Sequence, residues 1–465
     1  MLLPASCRLF SFSLVYRIFR LTALPLILEI IKKECVSNMK KVLAVLLTVA
    51  LVLGALGSVA FAEEKIKITM WHIQDDDNAK VIYTDAAARF MADYPNVEVE
   101  VVDMQNDVYK DKIAIAMAAG ELPDIFLSWS GGPMIEYATN GIILDLTAYM
   151  EEDNYKDKFL DAGIAQGTYD GKIWGIPGEN VSAALFFYDK EFFAANGFEV
   201  PTTIAELETL ADACLAIGVY PFALANLTKW TGSMYYMYLV ARIGGGSAFD
   251  KAANQIDGGT FESEPFEMAG EYIQKWVKAG YFNDGFNSAN EDDDIARWLL
   301  YNNQAAMYLM GNWAINTTAD INPDFLDKMG VFAFPAYEGG TGDPDAVVGT
   351  VGDNFYHIAA SCENPDMAFK FLQYTLDDTA IATRVAIGKI PPVKGVENMI
   401  TDENLKQVLD VVSASSGVQL WYDQYLPSSV AQVHLETLQA MFGLAMTPAE
   451  ADALLQEANT EALSE

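Results

Sequence analysis

Apolar and polar residues alternate from Lys65 to Met70, with Ile66, Ile68 and Met70 opposed to Lys65, Lys67 and Thr69. That period of two predicts a half-buried strand ending at Trp71-His72. The period then changes: Ile82, Ala86 and Phe90 recur every fourth residue, the face of an amphipathic helix that stops before Tyr94-Pro95-Asn96. Val97, Val99 and Val101 alternate with Glu98 and Glu100 as a second strand. Ile113, Ala116 and Met117 mark a helix closing at Gly120, and Pro123 leads into a third strand at Asp124-Ile125-Phe126-Leu127. Strand–helix–strand–helix–strand with crossovers of this length predicts a parallel α/β sheet.

Further along, Asp170-Gly171 reads as a tight hairpin turn and Leu185 to Tyr188 as an aromatic strand. Thr203-Ile204-Ala205-Glu206 is a capping box opening a helix towards Gly218, and Tyr220 to Ala225 reads as another strand. Pro265 and Gly280 bracket a helix carrying Ile273, Trp276 and Val277. Ala305 to Met310 is a buried strand running into Gly311-Asn312-Trp313. Val347 to Val351 and Phe355 to Ala360 are strand-like, Pro365 opens a helix, and the chain is mostly helical after Pro391-Pro392.

The beginning of the chain follows another rule. Met39-Lys40-Lys41 precedes an uncharged run from Val42 to Ala62, which ends in Ala60-Phe61-Ala62 before Glu63-Glu64-Lys65. This matches a secretory signal peptide at 39–62, cleaved after Ala62, in preference to a membrane anchor. Residues 1–38 are read as an upstream extension ahead of a true start at Met39. No Cys follows the run where lipidation would need one, since Cys7 and Cys35 precede Met39 and the next is Cys214. The mature chain is therefore expected to be exported, extracytoplasmic and not lipidated.

Charge narrows the partners. The 465 residues carry 29 Lys+Arg against 64 Asp+Glu. Removing residues 1–62, with seven bases and two acids, leaves 22 against 62 and a net charge of −40. Such a surface repels phosphate backbones, so nucleic acid is excluded as a partner. A hydrophobic content of 52% rules out a disordered chain, and four Cys make neither a disulfide scaffold nor a zinc site.

The order and spacing of several short motifs resemble the maltose-binding family of extracellular solute-binding proteins (family 1), the receptor components of ABC importers. They are Met70-Trp71, Tyr94-Pro95-Asn96-Val97, Ala119-Gly120-Glu121-Leu122-Pro123-Asp124-Ile125-Phe126 into Trp129, and Gly175-Ile176-Pro177 with Tyr188-Asp189-Lys190. Ala306-Met307-Tyr308 with Gly311-Asn312-Trp313-Ala314, Asn364-Pro365-Asp366-Met367-Ala368 with Phe371-Leu372, and Met446-Thr447-Pro448 continue the pattern to the end. The resemblance implies a two-lobed α/β binding-protein fold (type II-like) with the ligand in the cleft. It places 63–176 and 346–392 in the N-terminal lobe and 177–345 and 393–465 in the C-terminal lobe. Cys214 and Cys362 would then lie in different lobes as buried free thiols. The implied partners are a small sugar and two permease subunits; the protein is expected to be monomeric and to need no cofactor.

A sugar offers apolar C–H faces and a ring of hydroxyls, so its site calls for flat aromatic platforms beside carboxylates and amides. Ligands of open α/β sheets sit beyond the carboxyl ends of strands. That rule selects Trp71, His72, Trp129, Ser130, Asn312 and Trp313. Trp313 leads, because the resemblance puts a stacking aromatic at its Gly-x-Trp position. Trp421, Tyr422 and Asp423 are carried over from the same family, and Asn226 and Trp230 follow the strand that faces the cleft. Glu179, Asn180 and Ser182 mark the first hinge crossing, and Asp353 and Asn354 a polar break near the second. The alternative for the tryptophans is a place in the core, for His72 a structural role, and for Gly352-Asp353-Asn354 a turn. The acid runs 75–77 and 291–294 read as solvated faces, with Asp75 able to reach the rim.

Catalytic signatures are missing: His72, His357 and His434 stand outside any His-Glu-x-x-His, and no Gly-x-Ser-x-Gly, phosphate loop or dinucleotide fingerprint occurs. The rival enzyme is a secreted glycosidase, whose two carboxylates obey no sequence spacing. Only four arginines, Arg89, Arg242, Arg297 and Arg384, follow Ala62, which disfavours an anionic ligand. A neutral mono- or oligosaccharide ranks first, and a polyamine held by acids and aromatic faces second.

Overall fold

Two large sheets, each assembled from distant stretches of sequence, organise the chain from Ile66 onward, with a small two-stranded hairpin at 168–173 beside them. The computed structural model describes Thr48, 65–340 and 342–464. The extension at 1–38 and the signal peptide at 39–62 lie, Thr48 apart, outside the described residues. Among the described residues no helix is long and apolar enough to cross a membrane.

The first sheet begins as the alternation predicted. Strands β1 (Ile66–His72), β2 (Val97–Asp103) and β3 (Ile125–Ser128) run parallel, linked by helices α1 (Asp77–Asp93) and α2 (Asn106–Ala119). Ile82, Ala86 and Phe90 of α1 are buried, and Gly120 closes α2 in the left-handed conformation at φ +71°. Helix α3 (Gly132–Thr139) follows β3, and strand β4 (Ile176–Pro177) ends this stretch at the sheet's edge.

The second sheet is centred on β5 (Asn180–Asp189), buried along almost its whole length. Such a strand has apolar neighbours on both faces and reads as a continuous hydrophobic run rather than an alternating one. Helix α4 (Ile204–Ala216) starts at the Thr203–Glu206 capping box and leads to β6 (Tyr220–Ala223). Helices α5 (Trp230–Gly244), α6 (Glu264–Ala279) and α7 (Ile295–Tyr301) precede β7 (Ala305–Gly311) and α8 (Trp313–Ile321). Strands β8 (Met329–Phe332) and β9 (Val347–Gly352) both pair antiparallel with β5. Strand β10 (Phe355–Ile358) returns to the first sheet, whose order is β2-β1-β3-β10-β4. Helices α9 (Pro365–Thr375) and α10 (Asp378–Ala386) pack on α1. Helix α11 (Glu403–Ala414) comes next, and β11 (Val418–Gln419) gives the second sheet its order β11-β9-β5-β7-β6. Helices α12 (Tyr422–Tyr425), α13 (Ser428–Phe442) and α14 (Pro448–Ala462) close the chain. Cys214 and Cys362 are free; Cys214 is buried, whereas Cys362 is half-buried.

The chain changes sheet at Gly178-Glu179 and again at Gly352-Asp353-Asn354. The second change falls later than residue 346, where the sequence suggested it, because β9 stays paired with β5 through Gly352. The two crossings are hydrogen-bonded to one another: Gly178 N donates to Asn354 O at 3.2 Å and Glu179 N to Gly352 O at 3.1 Å. A third segment joins them, with Val181 N donating to Ile390 O and Ile390 N to Asn180 Oδ1, both at 2.7 Å.

A charge lies buried in this junction. Glu179 is fully enclosed and accepts from Arg384 Nη2 at 2.9 Å, Lys389 Nζ at 2.9 Å and Tyr356 Oη at 2.6 Å, with Tyr83 Oη as a further donor. Burial alone would raise its pKa, but the two cations overcome that and hold it well below the usual carboxylate range. Arg384 is also bound by Thr375 O at 2.6 Å. Arg384→Met would leave a buried carboxylate with one cation fewer, and a loss of about 3–5 kcal/mol is expected in urea unfolding.

Asp353, in the second crossing at φ +56°, has the opposite balance. Burial pushes its pKa up to about 7, against the pull of Lys389. A raised native pKa means that the native state holds the proton more tightly than the unfolded chain does. Its stabilising effect is therefore complete below about pH 3.8 and is lost as pH rises through about 7. The melting temperature of the parent minus that of Asp353→Asn should fall over this window and level off above it, which thermal denaturation across a pH series measures.

Candidate ligand-binding site

The ends of the first-sheet strands and of β7 face each other across the crossings and enclose a cavity of about 270 Å³. Its most prominent walls are indoles. Trp129 follows β3 on the first lobe, with Lys110 Nζ 5.0 Å from its ring centre and Tyr109 edge-on at 6.4 Å. Trp313 lies between Trp230 (centroids 6.2 Å apart) and Trp421 (5.8 Å) on the second lobe, tilted against the first and edge-on to the second. Glycine is required beneath it, since a Cβ on Gly311 would come within 2.1 Å of the Trp313 ring.

Polar side chains fill the space between the indoles. Asn180 and Asn354 project from the two crossings, and Gln74 donates to Asn354 Oδ1 at 3.1 Å while accepting from Lys389. Asp75, Asp76, Asp353 and Asp423 line the cavity, as do Glu291, Asp292 and Asp294. The cations among the lining residues are Lys110, Arg297 and Lys389. Seven acids against three bases leave a surplus of negative charge, and the carboxyl groups respond. Burial and then the neighbouring Asp76 raise Asp75 to about 6, and burial raises Glu291 to about 7. Burial likewise raises Asp292 and Asp423. The buried Asn180 Nδ2, Asn316 Oδ1 and Glu291 Oε2, together with Trp230 Nε1, have no hydrogen-bond partner. A buried polar group left unmatched costs about 1–3 kcal/mol, so such a surface is matched by whatever fills it.

Of the residues expected from sequence, Asp75, Trp129, Asn180, Trp230, Trp313, Asp353, Asn354, Trp421 and Asp423 come together on this cavity. The others do not line it, each for a physical reason. Trp71 points to the opposite face of β1 from His72 and packs half-buried on the core. His72 is buried, stacked on Tyr83 at 3.9 Å, and accepts from Gln74 N; burial lowers its pKa to about 4. Ser130 is buried away from the cavity, and Ser182 lies within β5. Glu179 is occupied by its cations. Asn226 Oδ1 accepts from Gly232 N at 2.9 Å in the first turn of α5. Asn312 takes the place of a strand partner: its Oδ1 accepts from Ala183 N at 2.9 Å and its Nδ2 donates to Val181 O at 3.1 Å. Tyr422 stacks on Phe249 at 3.5 Å.

The acid runs also need correcting. Only Asp77 and Asp293 are exposed; Asp75, Asp76, Asp292 and Asp294 are half-buried and Glu291 is buried. Sequence reasoning also passed over Gln74, Lys110, Asn316 and Lys389. The one signal available was Arg297, a rare arginine three residues past an acid run and so placed for an ion pair.

Around the cavity the lobes touch directly. Asn316 Nδ2 donates to Asp76 Oδ2 at 2.7 Å, and Asp320 accepts from Asp77 N and Asn78 N at the start of α1. Glu136 accepts from Ser428 N at 2.8 Å and Ser428 Oγ at 2.7 Å at the start of α13. Beside it, backbone meets backbone: a Cβ on Gly131 would lie 2.2 Å from Gln424 O, and one on Gly132 2.0 Å from Leu426 O.

Known proteins with this architecture were found by sequence and by structure. A maltotriose-binding protein of Pyrococcus abyssi is 23% identical, over 71% of this chain and 68% of its own. A melibiose/raffinose/stachyose-binding protein of Bacillus subtilis is 22% identical over 65% and 68%. A chitin oligosaccharide binding protein superposes with a TM-score of 0.79 at 22% identity, over 86% of this chain and all of the other. A structure from work on xylan utilization by Caldanaerobius polysaccharolyticus gives 0.77 at 30% identity, over 84% and 99%. Two-lobed folding, the motif order and the match of residues 85–407 to one family agree: the chain belongs to the bacterial extracellular solute-binding proteins.

Proposed function

We propose that this protein is the extracytoplasmic receptor of an ABC importer, and that it binds a neutral sugar or oligosaccharide between its lobes without altering it. The observation that carries this reading is the cavity wall: four indoles interleaved with amides and carboxyl groups drawn from both lobes. Indole faces match the C–H faces of a pyranose, each stack contributing about 0.5–1.5 kcal/mol beyond area burial by analogy with aromatic pairs. Amides and carboxyl groups match its hydroxyls. Two relatives support the class: one is a maltotriose-binding protein, the other a melibiose/raffinose/stachyose-binding protein.

The mechanism is hinge closure about the paired crossings. A ligand that touches both lobes favours the form in which they meet, and that form docks on two permease subunits. The expected site residues are the nine that line the cavity, led by Trp313. Export by the segment at 39–62, retention without a lipid and action as a monomer complete the proposal. A polyamine is the second reading, favoured by the surplus of acids.

Thermal shift and calorimetric titration with xylotriose, maltotriose, raffinose, chitotriose and spermidine test the reading. A saccharide should raise the melting temperature and lower the radius of gyration in X-ray scattering. Trp313→Ala should weaken its binding by roughly 10- to 100-fold, the loss of one well-stacked aromatic anchor. Response to spermidine alone would select the second reading, and cleavage of the saccharide would make the protein a glycosidase.

A further inference from the structure

The acid run 291–294 does more than add charge to the cavity. Glu291 opens a short turn before α7, is 2% exposed, and lines the cavity together with Arg297. Its Oε1 is fully engaged, accepting from Tyr308 Oη of β7 and from Arg297 Nη2 at 3.0 Å. Its Oε2 has no partner. Arg297, 9% exposed, is held through Nη1 by Asp294, yet its Nε is also unpartnered. One ion pair thus carries a free acceptor and a free donor on two side chains whose other polar atoms are fixed by the protein.

We propose that Glu291 Oε2 and Arg297 Nε form a subsite for a single ligand hydroxyl, which donates to the carboxylate and accepts from the guanidinium. A hydroxyl is the group that satisfies both at once, because it offers one hydrogen and two lone pairs. An ammonium, the form a polyamine carries at neutral pH, would meet the carboxylate but face the guanidinium with a hydrogen and no acceptor. A methylene would leave both charged groups unmatched. The pair is rigid: Tyr308 fixes the carboxylate from the sheet, and Asp294 fixes the guanidinium. It also lies beside the meeting of the lobes, since Arg297 and Asp76 line the same cavity and Asp76 is bound by Asn316. A ligand hydroxyl here is held by the second lobe next to a first-lobe carboxylate.

This inference rests on the carbohydrate reading and narrows it to an oriented hydroxyl at one position. The test is calorimetric titration of the parent and Glu291→Gln with xylotriose and with maltotriose, repeated with monodeoxy analogues of whichever binds. Glu291→Gln keeps the shape and removes the charge. It should weaken binding by roughly 10- to 100-fold, the range of one hydrogen bond to a charged group. One monodeoxy analogue should lose a similar factor on the parent and no further factor on Glu291→Gln, a pattern that a merely structural role does not produce. If Glu291→Gln fails to fold, Arg297→Lys replaces it and should give the same pattern. Equal affinity of parent and variant for a bound saccharide would overturn the subsite and leave the carbohydrate reading standing. If neither trisaccharide, nor raffinose, nor chitotriose binds the parent, the carbohydrate reading falls and the hydroxyl subsite with it.

Discussion

A single carboxylate with no access to water decides how this chain is put together. Glu179 sits where the polypeptide passes from one sheet to the other, and an ion there is tolerable only if its charge is met on all sides. The groups that meet it come from four separate stretches: Tyr83 on α1, Tyr356 on β10, Arg384 on α10 and Lys389 beyond it. The first lobe and the crossing are therefore tied to one another by a shared set of bonds. The same bonds reach the cavity, because Lys389 also binds Gln74, and Gln74 binds Asn354 of the other crossing. The floor of the site is an extension of the junction that joins the lobes.

The cavity's electrostatics follow from composition and from enclosure together. A strongly acidic chain has few cations to place, and three of its scarce arginines, Arg242, Arg297 and Arg384, are buried. Those that reach the site are already engaged: Arg297 with Glu291 and Asp294, Lys389 with Glu179. Burial above all raises the proton affinity of Asp75, Asp76, Asp292, Asp353 and Asp423. A carboxyl group near its midpoint can present either a donor or an acceptor, which suits a surface that must match hydroxyls pointing in several directions.

Much of this was legible in the sequence, and the exceptions share a cause. Alternation and helical period are properties of a local segment, so β1, β2, β3 and the helices between them could be read directly. The strand-end rule found Trp129 and Trp313, whose large flat faces have few other uses beside a polar cavity. It also selected His72 and Asn312, and the strand facing the cleft suggested Asn226, none of which lines the cavity, because a polar residue near a strand end can equally complete a ladder or cap a helix. Only the tertiary neighbours distinguish these uses: Tyr83 for His72, the backbone of β5 for Asn312, and the first turn of α5 for Asn226. Glu179 was placed at the crossing, but its partners were not legible, since Arg384 and Lys389 lie some two hundred residues away in the chain. Glu291 looked like solvated charge because nothing local reveals that Tyr308 and Arg297 enclose it.

The contact between Gly131-Gly132 and the carbonyls of Gln424 and Leu426 has an evolutionary consequence. A seam made of main chain on main chain reads no side-chain identity at Gln424, whose side chain lines the cavity and is free to differ without disturbing the contact. The two glycines have no such freedom, for even one methyl group would act as a wedge.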